Sequence, residues 1–203
     1  MSEIIILASI TLLASISPGP DFIVVMKNAL KSRKLGYLTA LGVGSAIFVH
    51  VAYCIAGIGL VISQSIILFS IIKTLGAIYL LYISYQLFRS KKEKIKDIEV
   101  TKNQSGFLAF REGFLTNVMN PKATIFFLSV FTQVINPNTL IITQFLYGVM
   151  MASIVGGWFL VLTTVVNLSP MRSHISGVQY YLNKVMGALL AFLGIKILLS
   201  SSK

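Results

Sequence analysis

Two short segments of this chain place charged and amide side chains beside prolines, inside stretches that are otherwise apolar. The segments are Ser17-Pro18-Gly19-Pro20-Asp21 and Asn120-Pro121-Lys122. Proline lacks a backbone N–H and clashes with the preceding turn, so each segment should interrupt a helix and deprive carbonyl groups of their helical donors. In hydrocarbon, such backbone is tolerated only where it is buried in protein or lines a wet cavity. The pattern therefore predicts a binding cavity where the two breaks meet.

Asp21 and Lys122 carry opposite charges at corresponding places in the two breaks. Asp21 is the only acidic residue in the apolar stretches apart from Glu3 at the terminus and Glu112 at the membrane edge. An ionisable group inside a membrane is costly unless it is paired or hydrated, which makes it a functional candidate. We expect both side chains to face one cavity, pairing with each other when it is empty or separating to hold the two charges of a zwitterion.

Amide groups beside the breaks would complete such a site. Asn117 and Asn120 could bind an α-amino group, and the helix that starts at Pro20 directs its free N–H groups back toward the break, where a carboxylate could bind. The expected substrate-binding residues are Ser17, Pro18, Gly19, Pro20, Asp21, Asn117, Asn120, Pro121 and Lys122.

Each candidate also has a purely structural alternative. Asp21 could be an acidic residue in the first turn of a helix, and Lys122 could extend along a helix groove toward the interface. His50 could relay protons or could be a core residue with satisfied hydrogen bonds. Cys54, the lone cysteine, is expected to be a small apolar core residue.

The chain lacks the residue patterns of metal, nucleotide and hydrolase sites. Two histidines and one cysteine do not make a metal cluster, and there is neither a Gly-x-Ser-x-Gly elbow nor a P-loop. The paired carboxylates, histidine pairs or Ser/Lys dyad of a membrane-embedded enzyme do not stand out. We therefore expect no enzymatic activity, no metal and no other cofactor.

The composition is that of a membrane protein. Of its 203 residues, 56% are hydrophobic and 11% are charged, with a mean hydropathy of +0.85. A membrane span needs about 20 apolar residues. Six stretches are long enough: 4–26, 37–62, 66–88, 107–134, 139–166 and 178–200. The expected surroundings of most of the surface are therefore a lipid bilayer.

The net charge of +11 is explained by where the basic residues lie. They cluster in two predicted loops, 27–34 and 89–111, whereas the connections at 63–65 and 136–138 are uncharged. By the positive-inside rule the basic loops are cytoplasmic, as Arg172 also indicates, and both termini face outside. This distribution gives no reason to expect a nucleic-acid partner.

The predicted fold is an all-α integral membrane protein with six transmembrane helices, arranged as two inverted three-helix repeats whose first and fourth helices are broken at proline. An odd number of spans in each half inverts the second half relative to the first. The segment from Lys73 matches the segment from Lys184, which supports the repeat. Within one transmembrane domain, repeat 1 covers about 1–90, the charged cytoplasmic loop about 89–106 and repeat 2 about 107–203.

Small residues recur at four-residue spacing in two of the stretches. They are Gly36, Ala40 and Gly44 in the second stretch and Gly148, Ala152 and Gly156 in the fifth. In membranes such residues mark faces where helices approach closely. These faces predict helix packing, and they permit a homodimer without requiring one.

Four motifs together resemble the LysE/RhtB family of bacterial amino-acid exporters, over nearly the whole chain. They are Ser-Pro-Gly-Pro-Asp-Phe at 17–22, Gly-Tyr-Leu-x-Ala-Leu-Gly from Gly36, Lys-x-x-Gly-Ala-x-Tyr-Leu from Lys73, and Phe-x-x-Gly-Phe-Leu-Thr-Asn-Val-Met-Asn-Pro-Lys from Phe110. The resemblance implies a secondary active exporter in the bacterial plasma (inner) membrane. Its expected substrates are amino acids or derivatives, either of the threonine, homoserine and homoserine lactone type or basic, and protons are the expected coupling ion.

Two other functions stay open on the sequence. The chain could transport a different small solute. It could also be a non-transporting structural membrane protein, in which the broken spans would pack dry instead of lining a cavity.

Overall fold

The computed structural model describes residues 2–17, 19–64, 66–89, 104–134 and 139–168, and individual helical residues between 181 and 199. All regular secondary structure within this described part is helical, as predicted. The helices with defined bounds are α1 (Ser2–Ile16), α2 (Pro20–Lys31), α3 (Arg33–Gln64), α4 (Ile66–Arg89), α5 (Gly106–Val118), α6 (Pro121–Val134) and α7 (Ile141–Val166).

The first break separates α1 from α2. The Ser17 N–H still donates to the Leu13 carbonyl at 3.2 Å, and α2 then begins at Pro20, where the missing N–H costs nothing. Gly19 precedes it in an extended conformation. The two helices are bent by 59° relative to each other, so the chain changes direction where the Pro-Gly-Pro segment predicts it.

The second break separates α5 from α6, and Asn120 organises it. The Asn120 Oδ1 accepts a hydrogen bond from the Lys122 N–H at 3.0 Å, while its carbonyl accepts from the Thr124 N–H at 3.0 Å. Asn120 is thus a side-chain cap for a helix that begins with proline: it satisfies the Lys122 N–H, and Pro121 has no N–H to satisfy.

The predicted basic loop at 27–34 is helical, so that prediction is wrong. The helix α2 continues to Lys31 and α3 starts at Arg33. Ser32 alone joins them: its N–H donates to the Asn28 carbonyl at 3.1 Å, and its Oγ accepts from the Leu35 N–H at 3.2 Å. The helix persists because its buried face continues beyond Lys27 to Asn28 and Ala29, while the lysines lie on the opposite face.

Within the described part of the chain, two helical segments are long and apolar enough to cross a membrane, Arg33–Gly57 and Ile141–Val166. The bent pair of α1 and α2 would be a third, and Pro121–Phe131 is a shorter apolar helix. Six transmembrane helices in two inverted repeats therefore stay a prediction, as do the repeat bounds.

Several predictions fall on residues outside the described part. These are Pro18, the connection 136–138, Arg172 and most of the charged loop 89–106.

The helix α3 packs closely on α7 through the small residues. A Cβ atom on Gly44 would lie 3.2 Å from the Gly156 Cα, and one on Gly148 would lie 2.6 Å from the Val51 side chain. The prediction that these small residues mark packing faces is confirmed. Cys54 lies fully buried in the same apolar core, as expected.

Candidate functional site

A cavity of about 60 Å³ lies between the two helix breaks. Ser17, Gly19 and Asp21 line it from the first break, and Asn117, Asn120 and Lys122 line it from the second. Six of the nine predicted site residues therefore meet at one cavity, although the two breaks lie about a hundred residues apart in the chain.

The other three predicted residues do not line the cavity or are not described. Pro20 and Pro121 begin α2 and α6 with exposed side chains, so they shape the breaks and do not face the cavity. Pro18 lies outside the described residues.

The two oxygens of the Asp21 carboxylate differ in their hydrogen bonding. Its Oδ2 accepts hydrogen bonds from the side-chain amides of Asn117 and Asn120, both at 3.0 Å. Its Oδ1 is buried and has no hydrogen-bond partner among the described residues. Asp21 lies in the first turn of α2, as its structural alternative has it, but its side chain caps no N–H of that helix and is bound by amides of the second break. A buried carboxylate oxygen without a donor is a site for a donor from a ligand or water.

The Lys122 side chain reaches from the second break to the first. Its Nζ donates to the Ser17 Oγ at 2.8 Å and lies 3.5 Å from the Ser17 carbonyl oxygen. It passes close to Gly19, where an added Cβ would lie 3.5 Å from Nζ. Lys122 therefore turns into the cavity instead of extending along a groove to the interface.

Aromatic and aliphatic side chains form the remaining wall of the cavity. They are Phe22, Ile47, Tyr79, Phe126, Phe127, Val155 and Phe159, with Ala14, Leu80, Ala123 and Leu190. The cavity is thus charged at the helix breaks and mostly apolar elsewhere. This arrangement suits a small molecule with a charged head and a neutral side chain.

Two polar residues of α1 also line the cavity, and the sequence reasoning missed them. The Ser15 Oγ donates to the Thr11 carbonyl at 2.7 Å, whereas the Thr11 Oγ1 is buried with no hydrogen-bond partner in the described part. Their four-residue spacing, which places both on one helix face, was the signal available in the sequence.

His50 on α3 lies behind the cavity wall and is fully buried. Its Nε2 is 3.1 Å from both the Asn117 carbonyl oxygen and the Asn117 Oδ1, and its Nδ1 is 2.7 Å from the Tyr53 hydroxyl. The ring stacks on Phe127, with 5.2 Å between ring centroids. His50 is therefore a core residue with satisfied hydrogen bonds, one of the two roles expected from the sequence. One of its partners is Asn117, which lines the cavity.

A second polar cluster joins α2 to α5 away from the cavity. The Glu112 carboxylate accepts from the Lys27 Nζ at 2.9 Å, the Asn28 Nδ2 at 3.0 Å and the Gln104 Nε2 at 2.8 Å. Asn28 is fully buried and also donates to the Thr39 Oγ1 at 2.9 Å. These contacts position the two helices that carry Asp21 and Asn117.

Comparison with known proteins identifies the family and several relatives of this chain. The family described as LysE type translocator matches residues 12–201. The chain is 32% identical to the threonine efflux protein of Escherichia coli K12 and 30% identical to that of Salmonella typhi, in each case over 95% of this chain and 96% of the relative. It is also 30% identical to the uncharacterized membrane protein YrhP of Bacillus subtilis, over 91% of this chain and 93% of that protein. No solved structure matches it. Since the family match spans nearly the whole chain, this membrane protein belongs to the LysE type translocator family.

Proposed function

We propose that this protein exports small zwitterionic amino acids from the cytoplasm by secondary active transport, with threonine as the first substrate to test. Two relatives that align along almost their full length are named threonine efflux proteins. The observation that carries the proposal is a single cavity, lined by one carboxylate and one ammonium group, at the junction of two broken helices. Substrate sites at such junctions are typical of secondary transporters.

The substrate ammonium group would bind the Asp21 Oδ1, the buried oxygen that has no partner among the described residues. The substrate carboxylate would bind the Lys122 ammonium group, with the Ser17 hydroxyl beside it. Asn117 and Asn120 would support Asp21 instead of contacting the substrate amine first, because their side-chain N–H groups already donate to its Oδ2.

A neutral substrate side chain fits this cavity better than a basic one. Among the described residues that line the cavity, Asp21 is the one acidic side chain, and most of the remaining lining is apolar. The second charge of lysine or arginine would be buried without a counter-charge, which is costly. Of the substrate classes that the family resemblance implies, we therefore favour threonine, homoserine and similar neutral amino acids.

For the membrane arrangement we propose six helices in two inverted repeats in the bacterial plasma membrane, with basic segments on the cytoplasmic side and both termini outside. The two helix breaks and the six apolar stretches of the sequence support it. Coupling would be exchange for protons at Asp21, which would bind a proton and the substrate ammonium group alternately.

The test is efflux from cells loaded with labelled L-threonine, comparing wild type, Asp21→Asn and Lys122→Ala at matched membrane abundance. A matched control is Ser45→Ala, because Ser45 is partly buried away from the cavity and its hydroxyl donates only within its own helix. We expect wild type and control to lower threonine retention and both site variants to fail. Normal efflux by both site variants would contradict the proposal. Efflux that persists in the presence of an uncoupler would rule out the proton coupling.

A non-transporting structural role makes a different prediction. If the broken spans pack dry, a cysteine placed at Ser17 would not react with a water-soluble thiol reagent, whereas the transport proposal predicts that it reacts and that threonine protects it. A Cys54→Ala background removes the lone native cysteine, so that the introduced thiol alone is measured.

A further inference from the structure

His50 contacts the site through both the backbone and the side chain of one residue. Its Nε2 lies 3.1 Å from the Asn117 carbonyl oxygen and 3.1 Å from the Asn117 Oδ1. A backbone carbonyl oxygen can only accept a hydrogen bond. The Nε2 must therefore carry a proton, and it donates to Asn117.

The same proton determines which way the Asn117 amide faces. Because Nε2–H is a donor, the atom of the Asn117 amide beside it is the oxygen, and the NH₂ group is directed to the other side. On that side the Asn117 Nδ2 donates to the Asp21 Oδ2 at 3.0 Å. If the amide turned over, two donors would face each other at His50 and two acceptors would face each other at Asp21.

The histidine ring is itself held in place. It stacks on Phe127 of α6 with the ring planes 4° apart, and its Nδ1 lies 2.7 Å from the Tyr53 hydroxyl. With a proton on Nε2, a neutral imidazole has a bare Nδ1 that accepts from Tyr53. The Tyr53 hydroxyl has a single proton, and the His50 Nδ1 at 2.7 Å is a closer acceptor for it than the Thr124 carbonyl oxygen on α6 at 3.3 Å. The ring is thus held by residues of both α3 and α6.

We propose that His50 is a positioning residue for substrate binding: its Nε2–H sets the orientation of Asn117, which holds the Asp21 carboxylate with Oδ1 directed to the substrate ammonium group. His50 does not line the cavity and acts through Asn117. The consequence for transport rests on the proposed amino-acid export, whereas the hydrogen-bond arrangement does not.

Two substitutions separate positioning from packing. In His50→Gln the side-chain amide nitrogen can occupy the place of Nε2 and donate to Asn117. His50→Leu fills a similar volume beside Phe127 but has no donor. In proteoliposomes with labelled L-threonine, we expect His50→Leu to raise the apparent KM about tenfold, the effect of one lost buried hydrogen bond, and His50→Gln to stay near wild type. Equal KM values in wild type and His50→Leu would overturn the proposal, as would a loss in folded His50→Gln as large as in His50→Leu.

A measurement that does not depend on transport keeps the proposal testable if threonine is not the substrate. The chain has two histidines, so a His174→Gln background leaves His50 as the only one. Nitrogen-15 NMR of histidine-labelled protein in lipid bilayers should show a proton on Nε2. A neutral ring protonated at Nδ1 would overturn the proposal. If wild type moves no threonine but the Nε2–H signal is found, the proposed substrate is wrong and the positioning role stands.

Discussion

The Asn120 Nδ2 donates to the Asp21 Oδ2 at 3.0 Å, while the Oδ1 of the same amide accepts from the Lys122 N–H at 3.0 Å. The Asn120 side chain therefore caps α6, the helix that follows the second break, and also holds the Asp21 carboxylate of the first break. Any movement that separates the two breaks must rupture the hydrogen bond between Asn120 and Asp21. The geometry of the charged groups is consequently tied to the start of α6.

The two roles of Asn120 can be separated by substitution. Serine retains a capping oxygen for the Lys122 N–H but is too short to donate to Asp21, whereas alanine loses both contacts. We expect Asn120→Ala to lower the free energy of unfolding by about 1 kcal/mol more than Asn120→Ser. Both should raise the KM for threonine several-fold, because both weaken support of Asp21. Unfolding in detergent and efflux in proteoliposomes measure the two effects, and an unchanged KM in Asn120→Ser would contradict the second role.

Thr11 offers a prediction on substrate selectivity. Its hydroxyl is buried without a hydrogen-bond partner in the described part of the chain and lines the cavity. Thr11→Val keeps the shape and removes the hydroxyl, so the protein should become slightly more stable while losing an interaction with a hydroxyl-bearing substrate. Competition by unlabelled valine and threonine is the measurement. We expect the preference for threonine over valine to fall about tenfold, and an unchanged preference would show that this hydroxyl does not contact substrate.

The contact between α3 and α5 depends on two glycines. A Cβ on Gly42 would clash with the Phe110 carbonyl, and one on Gly113 would clash with the Thr39 carbonyl. Since backbone atoms must shift, Gly42→Ala and Gly113→Ala should each cost about 1–3 kcal/mol of stability.

Gly57 and Gly157 are the matched controls, because a Cβ there would meet nothing within 4 Å. Alanine favours helix over glycine by up to about 1 kcal/mol, so Gly57→Ala and Gly157→Ala should be neutral or stabilising. Thermal unfolding of all four variants in one detergent tests this contrast. A loss of stability in the controls equal to that of Gly42→Ala would contradict it.

The Glu112 cluster should be stabilised more by its buried amide than by its ion pair. The side chains of Lys27 and Glu112 are 40% and 31% exposed, so Lys27→Met should cost about 0–1 kcal/mol. Glu112→Ala removes an acceptor from the fully buried Asn28 amide and should cost about 1–3 kcal/mol. Denaturant unfolding of both variants is the measurement. A larger loss of stability in Lys27→Met than in Glu112→Ala would contradict this prediction.

Local chemistry made part of this structure predictable. Proline cannot donate a backbone hydrogen bond, so the helix breaks at Pro20 and Pro121 could be predicted without knowledge of the rest of the chain. The four-residue spacing of small residues likewise predicted the close approach at Gly44 and Gly156. In contrast, charge alone suggested a loop at 27–34, where the buried face of α2 continues to Asn28 and Ala29 and the chain stays helical to Lys31.

The sequence by itself determined the apolar character of the chain, the places where its helices break, and the two opposite charges at those breaks. These properties depend on residue type and near neighbours along the chain. Only the tertiary structure decided that the two amides donate to Asp21, that Lys122 turns to Ser17, that His50 contacts Asn117 and that Thr11 lines the cavity. Those contacts join residues of different helices, and no spacing along the chain specifies the rotation and approach of one packed helix relative to another.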